Sequence, residues 1–105
     1  MLAQVSIIPV GTGEEMKELI AKALKIIEKS ELDYQLTSMG TIIEGDWDEI
    51  IVLIKKCHEE VKNFAERVVT NILIDDRKDM TGRLKNKVLE VEYAIGESLK
   101  TNDLT

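Results

Sequence analysis

Residues 35–49, QLTSMGTIIEGDWDE, decide the fold. Two short β-type runs flank a Ser-Met-Gly turn. The second run, Thr41 to Gly45, alternates so that the Glu44 carboxylate lies on the same side of its strand as Ile42. Runs separated by so few residues, one of them Gly40, pair as an antiparallel hairpin. Asp46 and Glu49 follow with the Asp-x-x-Glu spacing of a capping box, so a helix starts there. The reading places Glu44 within its strand rather than at the end, and a carboxylate in that position calls for a reason.

Outward from the hairpin, Trp47, Ile50, Ile54, Cys57, Val61 and Phe64 fall three and four apart, the apolar stripe of one helix. Arg67 to Ile74 is β-branched and nearly continuous, as in a well-buried final strand. Upstream, Leu2 to Ile8 alternates with period two and stops at Pro9. Gly11-Thr12-Gly13 is a turn, and Met16, Leu19, Ile20, Ala23, Leu24 and Ile27 mark a helix ending near Ser30. A charged loop from Asp75 to Asp79 leads to a third helical stripe of Leu84, Val88, Val91, Ile95 and Leu99. Strands are therefore expected near 2–8, 32–37, 41–45 and 67–74, and helices near 14–30, 47–65 and 80–100.

The order β-α-β-β-α-β, with an added C-terminal helix, is the split βαβ pattern of a ferredoxin-like α+β sandwich with a four-stranded antiparallel sheet. Right-handed connections put both crossover helices on one face of the sheet. The other face stays open over roughly 300 Å², taking about 3.3 Å per residue and 4.8 Å between strands. Register assigns Ala3, Val5, Ile7, Leu36, Ile43, Ile72 and Ile74 to the helix side. Gln4, Ser6, Ile8, Gln35, Thr37, Ile42, Glu44, Val69, Asn71 and Leu73 fall on the open side. Such a mixture suits a polar recognition surface. It also suits an oligomer interface with a few satisfied polar residues, and pattern alone does not separate the two.

At 105 residues, 44% hydrophobic and 32% charged, the chain reads as one domain over 1–100 with a frayed tail at 101–105. A net charge of −6 and the absence of a basic stripe exclude nucleic acid as a partner. The first ten residues lack the basic start and length of a signal peptide or membrane span, and the single cysteine, Cys57, fits the cytoplasm. Cys57 lies in an apolar stripe with its neighbour His58 about 100° around the helix, so no nucleophile–base pair forms. One histidine and no Cys/His cluster leave no zinc site. Arg77 and Lys78 sit between Asp75, Asp76 and Asp79, as in a solvated loop rather than a site for a hard cation. Gly11-Thr12-Gly13 lacks the longer glycine and lysine signature of a phosphate loop. Trp47 is expected as a core anchor.

Three segments, VSIIPVGTG (5–13), YQLTSMGTIIEGDWDEI (34–50) and AERVVTNILIDDRKD (65–79), resemble the small thiamine-binding proteins. These are single-domain relatives of the tandem-repeat hydroxymethylpyrimidine/thiamine-binding proteins. The resemblance runs from about Ala3 to the third helix. It implies a ferredoxin-like fold, sheet-mediated homo-oligomers, here a tetramer built from dimers, and reversible, non-enzymatic binding of thiamine or its hydroxymethylpyrimidine part near a subunit interface. No cofactor or metal is implied. Under the resemblance Glu44 could accept from the pyrimidine amine or a protonated ring nitrogen, Ser6, Ser38 and Thr41 could supply hydroxyl bonds, and Met39 could pack on a ring. The remaining alternative is an interaction module whose open face only makes oligomers.

Overall fold

The chain runs through β1 (Leu2–Val10), a single 3₁₀ turn at Gly13–Glu15, α1 (Met16–Lys29), β2 (Asp33–Thr37), β3 (Gly40–Glu44), α2 (Trp47–Lys62) and β4 (Arg67–Asp75). The computed structural model describes residues 1–78 together with Leu84 and Leu89. The expected third helix, apart from those two positions, and the tail lie outside the described residues. The four strands form one antiparallel sheet in the order β2-β3-β1-β4. This is the ferredoxin-like α+β arrangement.

The registers bear out the face assignment. Ala3 stands opposite Ile43 on one side and Ile74 on the other, and Val5 lies between Thr41 and Ile72. Opposed residues share a face, and these point at the helices. The core joins Ala3, Val5 and Ile43 to Leu19, Ala23 and Ile27 of α1 and to Ile50, Leu53, Ile54, Cys57 and Val61 of α2. β1 continues past Pro9, which is buried and pairs with Val68. Pairing with β3 stops at Val5, so a residue without an N–H is tolerated where one flank of the strand has no neighbour.

Local signals set the element ends. At the start of α2 the Asp46 N–H donates to Glu49 Oε1 at 3.1 Å, one arm of the capping box. At the end of α1 the Ser30 hydroxyl donates to the Ile27 carbonyl at 2.5 Å, and Leu32 N–H donates back to Ser30 Oγ at 3.2 Å. Glu31 between them has φ +64°, the left-handed conformation that reverses the chain after a helix.

Three expectations are corrected. Trp47 is 55% exposed rather than a core anchor, because it is the first residue of α2 and a helical side chain leans back toward the N-terminus, here past the start of the helix, while Ile50 three residues on is fully buried. Phe64 is 53% exposed; it follows the last helical residue, and its ring instead carries the Lys22 ammonium 4.6 Å from its centroid. Glu44 is the terminal residue of β3, not an interior one, since the chain leaves the sheet at Gly45.

Candidate functional site

The open face of the sheet is built in rows. The first row reads Asp33, Glu44, Leu2 and Asp75 across β2, β3, β1 and β4. The second reads Gln35, Ile42, Gln4 and Leu73. Farther along, Thr37 faces Gly40 across the hairpin, and Ser6 faces Asn71 between the other two strands. One end of the face is acidic, its middle carries two amides among apolar side chains, and its far end carries hydroxyls and an amide.

Asp33 and Glu44 stand directly opposite one another, which brings their Cβ atoms to about 5 Å. Facing carboxylates repel each other and favour any cation placed between or above them. Glu44 is half-buried, so a cation at this point is screened less than one in open water.

The hairpin tip is held by Thr37, whose hydroxyl donates to the Gly40 carbonyl at 2.8 Å and accepts from Met39 N–H at 3.1 Å. Ser38 is exposed and Met39 is 78% exposed. Gly40 passes so close to β1 that a Cβ there would lie 2.8 Å from the Val5 carbonyl oxygen, at φ +144°.

The five residues singled out from sequence do not converge within one chain. Ser6 and Glu44 share the open face. Thr41 points the other way, only 6% exposed on the helix side opposite Val5. It lines a small apolar cavity of about 40 Å³ with Ile7, Ile20 and Leu24 among others. Ser38 and Met39 lie at the tip, and at 3.3 Å per residue Glu44 is roughly 13 Å from Gly40 along β3. The structure instead groups Glu44 with Asp33, and Ser6 with Asn71, while Gln4 and Gln35 flank Ile42. Period-two alternation already places Gln4, Gln35 and Asn71 on this face; Asp33 follows from the same alternation one step before Gln35.

A larger groove, about 620 Å³, lies on the helix side, where Ile26, Lys29 and Leu32 meet Asp48, Val52 and Lys56. It includes none of the five residues. Nucleophilic chemistry finds no support at Cys57, whose thiol is buried and raised to about 11 by desolvation. His58 is occupied instead with Thr70, its Nδ1 lying 2.7 Å from the hydroxyl. Among the described residues no three His, Cys, Asp or Glu side chains meet in a way that could hold a metal ion. Before α1 the Thr12 hydroxyl is buried without a hydrogen-bond partner, but Glu15 and Glu18 beside that turn oppose an anion. No helix among the described residues is long and apolar enough to cross a membrane.

Comparison with known proteins adds a family. A family model described as thiamine-binding protein matches residues 3–92. The UPF0045 protein MJ1052 of Methanocaldococcus jannaschii is 39% identical over 97 residues, covering 92% of this chain and 93% of its own. YqgV of Bacillus subtilis, also a UPF0045 protein, is 38% identical over 96 residues, covering 86% and 92%. The MJ1052 crystal structure superposes with a TM-score of 0.77 at 40% identity, over 91% of this chain and 95% of that one. A candidate thiamine biosynthesis/salvage protein of Thermotoga maritima superposes with a TM-score of 0.75 over 86% and 96% of the two chains. At 23% identity that likeness concerns the fold alone.

Proposed function

The chain belongs to the thiamine-binding protein family, and from that premise we propose that it binds thiamine or its hydroxymethylpyrimidine part reversibly, without turnover, on the open face of its sheet. The observation that carries this reading is the opposition of Asp33 and Glu44 in the acidic row. Thiamine brings a fixed thiazolium charge, and its aminopyrimidine brings an amine and a protonatable ring nitrogen. A cationic, hydrogen-bond-donating heterocycle matches an acidic end that grades into amides and hydroxyls.

In this reading Glu44 accepts from the amine or the protonated ring, Ser6 lies along the same face, and Gln4 and Gln35 offer amide contacts between them. Ser38, Met39 and Thr41 cannot join Glu44 from within one chain, so any part played by the exposed hairpin tip is played toward a neighbouring subunit. The protein works as a homo-oligomer, a tetramer built from dimers, in the cytoplasm. Apolar side chains on the open face, including Ile8 and the 68% exposed Leu73, support burial of that face against another copy.

Titration calorimetry with thiamine, on the wild type and on Glu44→Gln, tests the site. The substitution should weaken binding by about 1.5–3 kcal/mol, the scale of a charge-assisted hydrogen bond, and leave the oligomer mass unchanged. Absence of heat and of a thermal shift with millimolar thiamine and with the free pyrimidine would falsify the binding reading. The exposed apolar positions would then favour the second reading, an interaction module whose open face only makes oligomers.

A further inference from the structure

We propose that the groove between the two helices is a second binding site, on the side of the molecule away from the open sheet face, and that it takes a small amphiphilic anion: one carboxylate, sulfonate or phosphate group on an apolar ring or chain. The inference stands on the helix layer and does not depend on the open-face site.

The groove lies where the last turn of α1 meets the first half of α2. Ile26 and Leu32 are half-buried along one wall, and Leu53 is buried in the other. Val52 stands about 100° around α2 from Leu53, off the core stripe, and remains 53% exposed at the groove. The volume, about 620 Å³, lies within the roughly 300–1,000 Å³ of small-molecule sites, which are typically apolar with a few polar groups.

Those polar groups select the ligand. Lys29 of α1 and Lys56 of α2 border the same groove, so two ammoniums share one space and repel each other. Asp48 and Glu49 also border it, yet among the described residues neither lysine forms an ion pair with them. Both acids lie in the first turn of α2, where they complement the helix dipole, and Glu49 Oε1 already accepts from Asp46 N–H. The Ser30 hydroxyl is taken on both sides, by the Ile27 carbonyl and the Leu32 N–H. The lysine heads are left for a ligand. Lys29 ends α1, where a cation suits the dipole, but Lys56 stands more than a turn before the end of α2 and has no such reason.

Lysine stems often lie over apolar surface with their heads in water, and that alone would account for a covered floor. It does not account for Val52, which stays exposed between them. An anion held by both heads relieves their repulsion and sets its apolar part on Val52 and Leu53. The chain carries a net charge of −6, so any preference for anions here is local. Asp48 bounds the site about 12 Å along α2 from Lys56, which admits a ring system or a medium chain and stops a long lipid tail.

Fluorescence titration with anilinonaphthalene sulfonate tests the site, with neutral N-phenylnaphthylamine as the uncharged counterpart. The wild type should bind the sulfonate saturably, with amide chemical-shift changes confined to residues 26–32 and 48–56. Lys29→Glu and Lys56→Glu should each weaken it roughly tenfold, an attraction turned into a repulsion, while N-phenylnaphthylamine binds as before. Val52→Asp should weaken both probes. All three positions are exposed, and circular dichroism checks that the variants fold. Octanoate that displaces the sulfonate extends the site to chain carboxylates; octanoate that does not confines it to ring-bearing anions. Unsaturable binding, shifts on the open sheet face instead of the groove, or folded charge-reversed variants that bind like the wild type each overturn the proposal.

Discussion

The thiol of Cys57 in α2 donates to the carbonyl oxygen of Ala23 in α1 at 3.5 Å, so the single sulfur sits where the two helices meet above the sheet. Burial raises the thiol to about 11. Disulfide-exchange reagents should therefore label Cys57 only as fast as the protein unfolds, and promptly in denaturant. Labelling of native protein at the rate of a free thiol would contradict the burial.

The same burial gives a pH dependence. Native Cys57 keeps its proton up to about 11, whereas the unfolded thiol loses it near 8.5–9. Above the lower value the unfolded state binds fewer protons, so stability falls as pH rises. The contribution is fully present below about pH 8.5, and on the order of 2 kcal/mol disappears by about pH 11. Urea titrations of wild type and Cys57→Ala across this window should differ in slope by that amount, the variant being flatter.

Gly40→Ala should destabilise the protein by about 1–3 kcal/mol, visible as a melting temperature lower by roughly 5 °C or more. The added methyl would lie 2.8 Å from the Val5 carbonyl oxygen, at φ +144°. Both the obstacle and the strain are in backbone, so no side-chain rotation relieves them. An unchanged melting temperature would mean that β3 does not approach β1 this closely.

Glu31→Gly should do the reverse. At φ +64° a side chain costs about 1 kcal/mol that glycine avoids, partly offset by the greater freedom of glycine in the unfolded chain. A gain of about 0.5 kcal/mol in a denaturant titration is expected, whereas Glu31→Val should lose stability.

Glu49→Ala removes the carboxylate that accepts from Asp46 N–H at 3.1 Å. A cost of about 0.5–1 kcal/mol is expected, and Glu49→Gln should recover most of it, because an amide oxygen can complete the same box. Equal losses for both variants would assign the effect to charge rather than to the cap.

Strand pairing, helix starts and face assignment were legible from residue pattern, because each depends on spacing that the sequence carries directly. Ala3, Val5 and Ile43 alternate into the core as read, and Asp46 with Glu49 starts α2 where the spacing put it. Where the reading failed, the missing quantity was extent. Trp47 and Phe64 fit the helical stripe, but one precedes and the other follows the stretch of α2 that lies over the sheet. Leu36 faces the helix side as expected yet remains exposed, because β2 is the edge beyond the helix layer. The candidate site was less legible, since grouping Ser38, Met39 and Thr41 with Glu44 followed likeness rather than register. Alternation alone separates Thr41 from Glu44, and only pairing across strands reveals that Asp33 is the neighbour of Glu44.

The difference between the five residues of β2 and the nine of β4 bears on how assembly ends. A sheet with two equally receptive edges can recruit a copy at each and lengthen into a ribbon, the geometry of a fibre. Here only one edge is long. The other is a short β2 beginning with Asp33, a poor template for another chain. Lengthening β2, or neutralising Asp33, would make the two margins alike and open the second to strand addition.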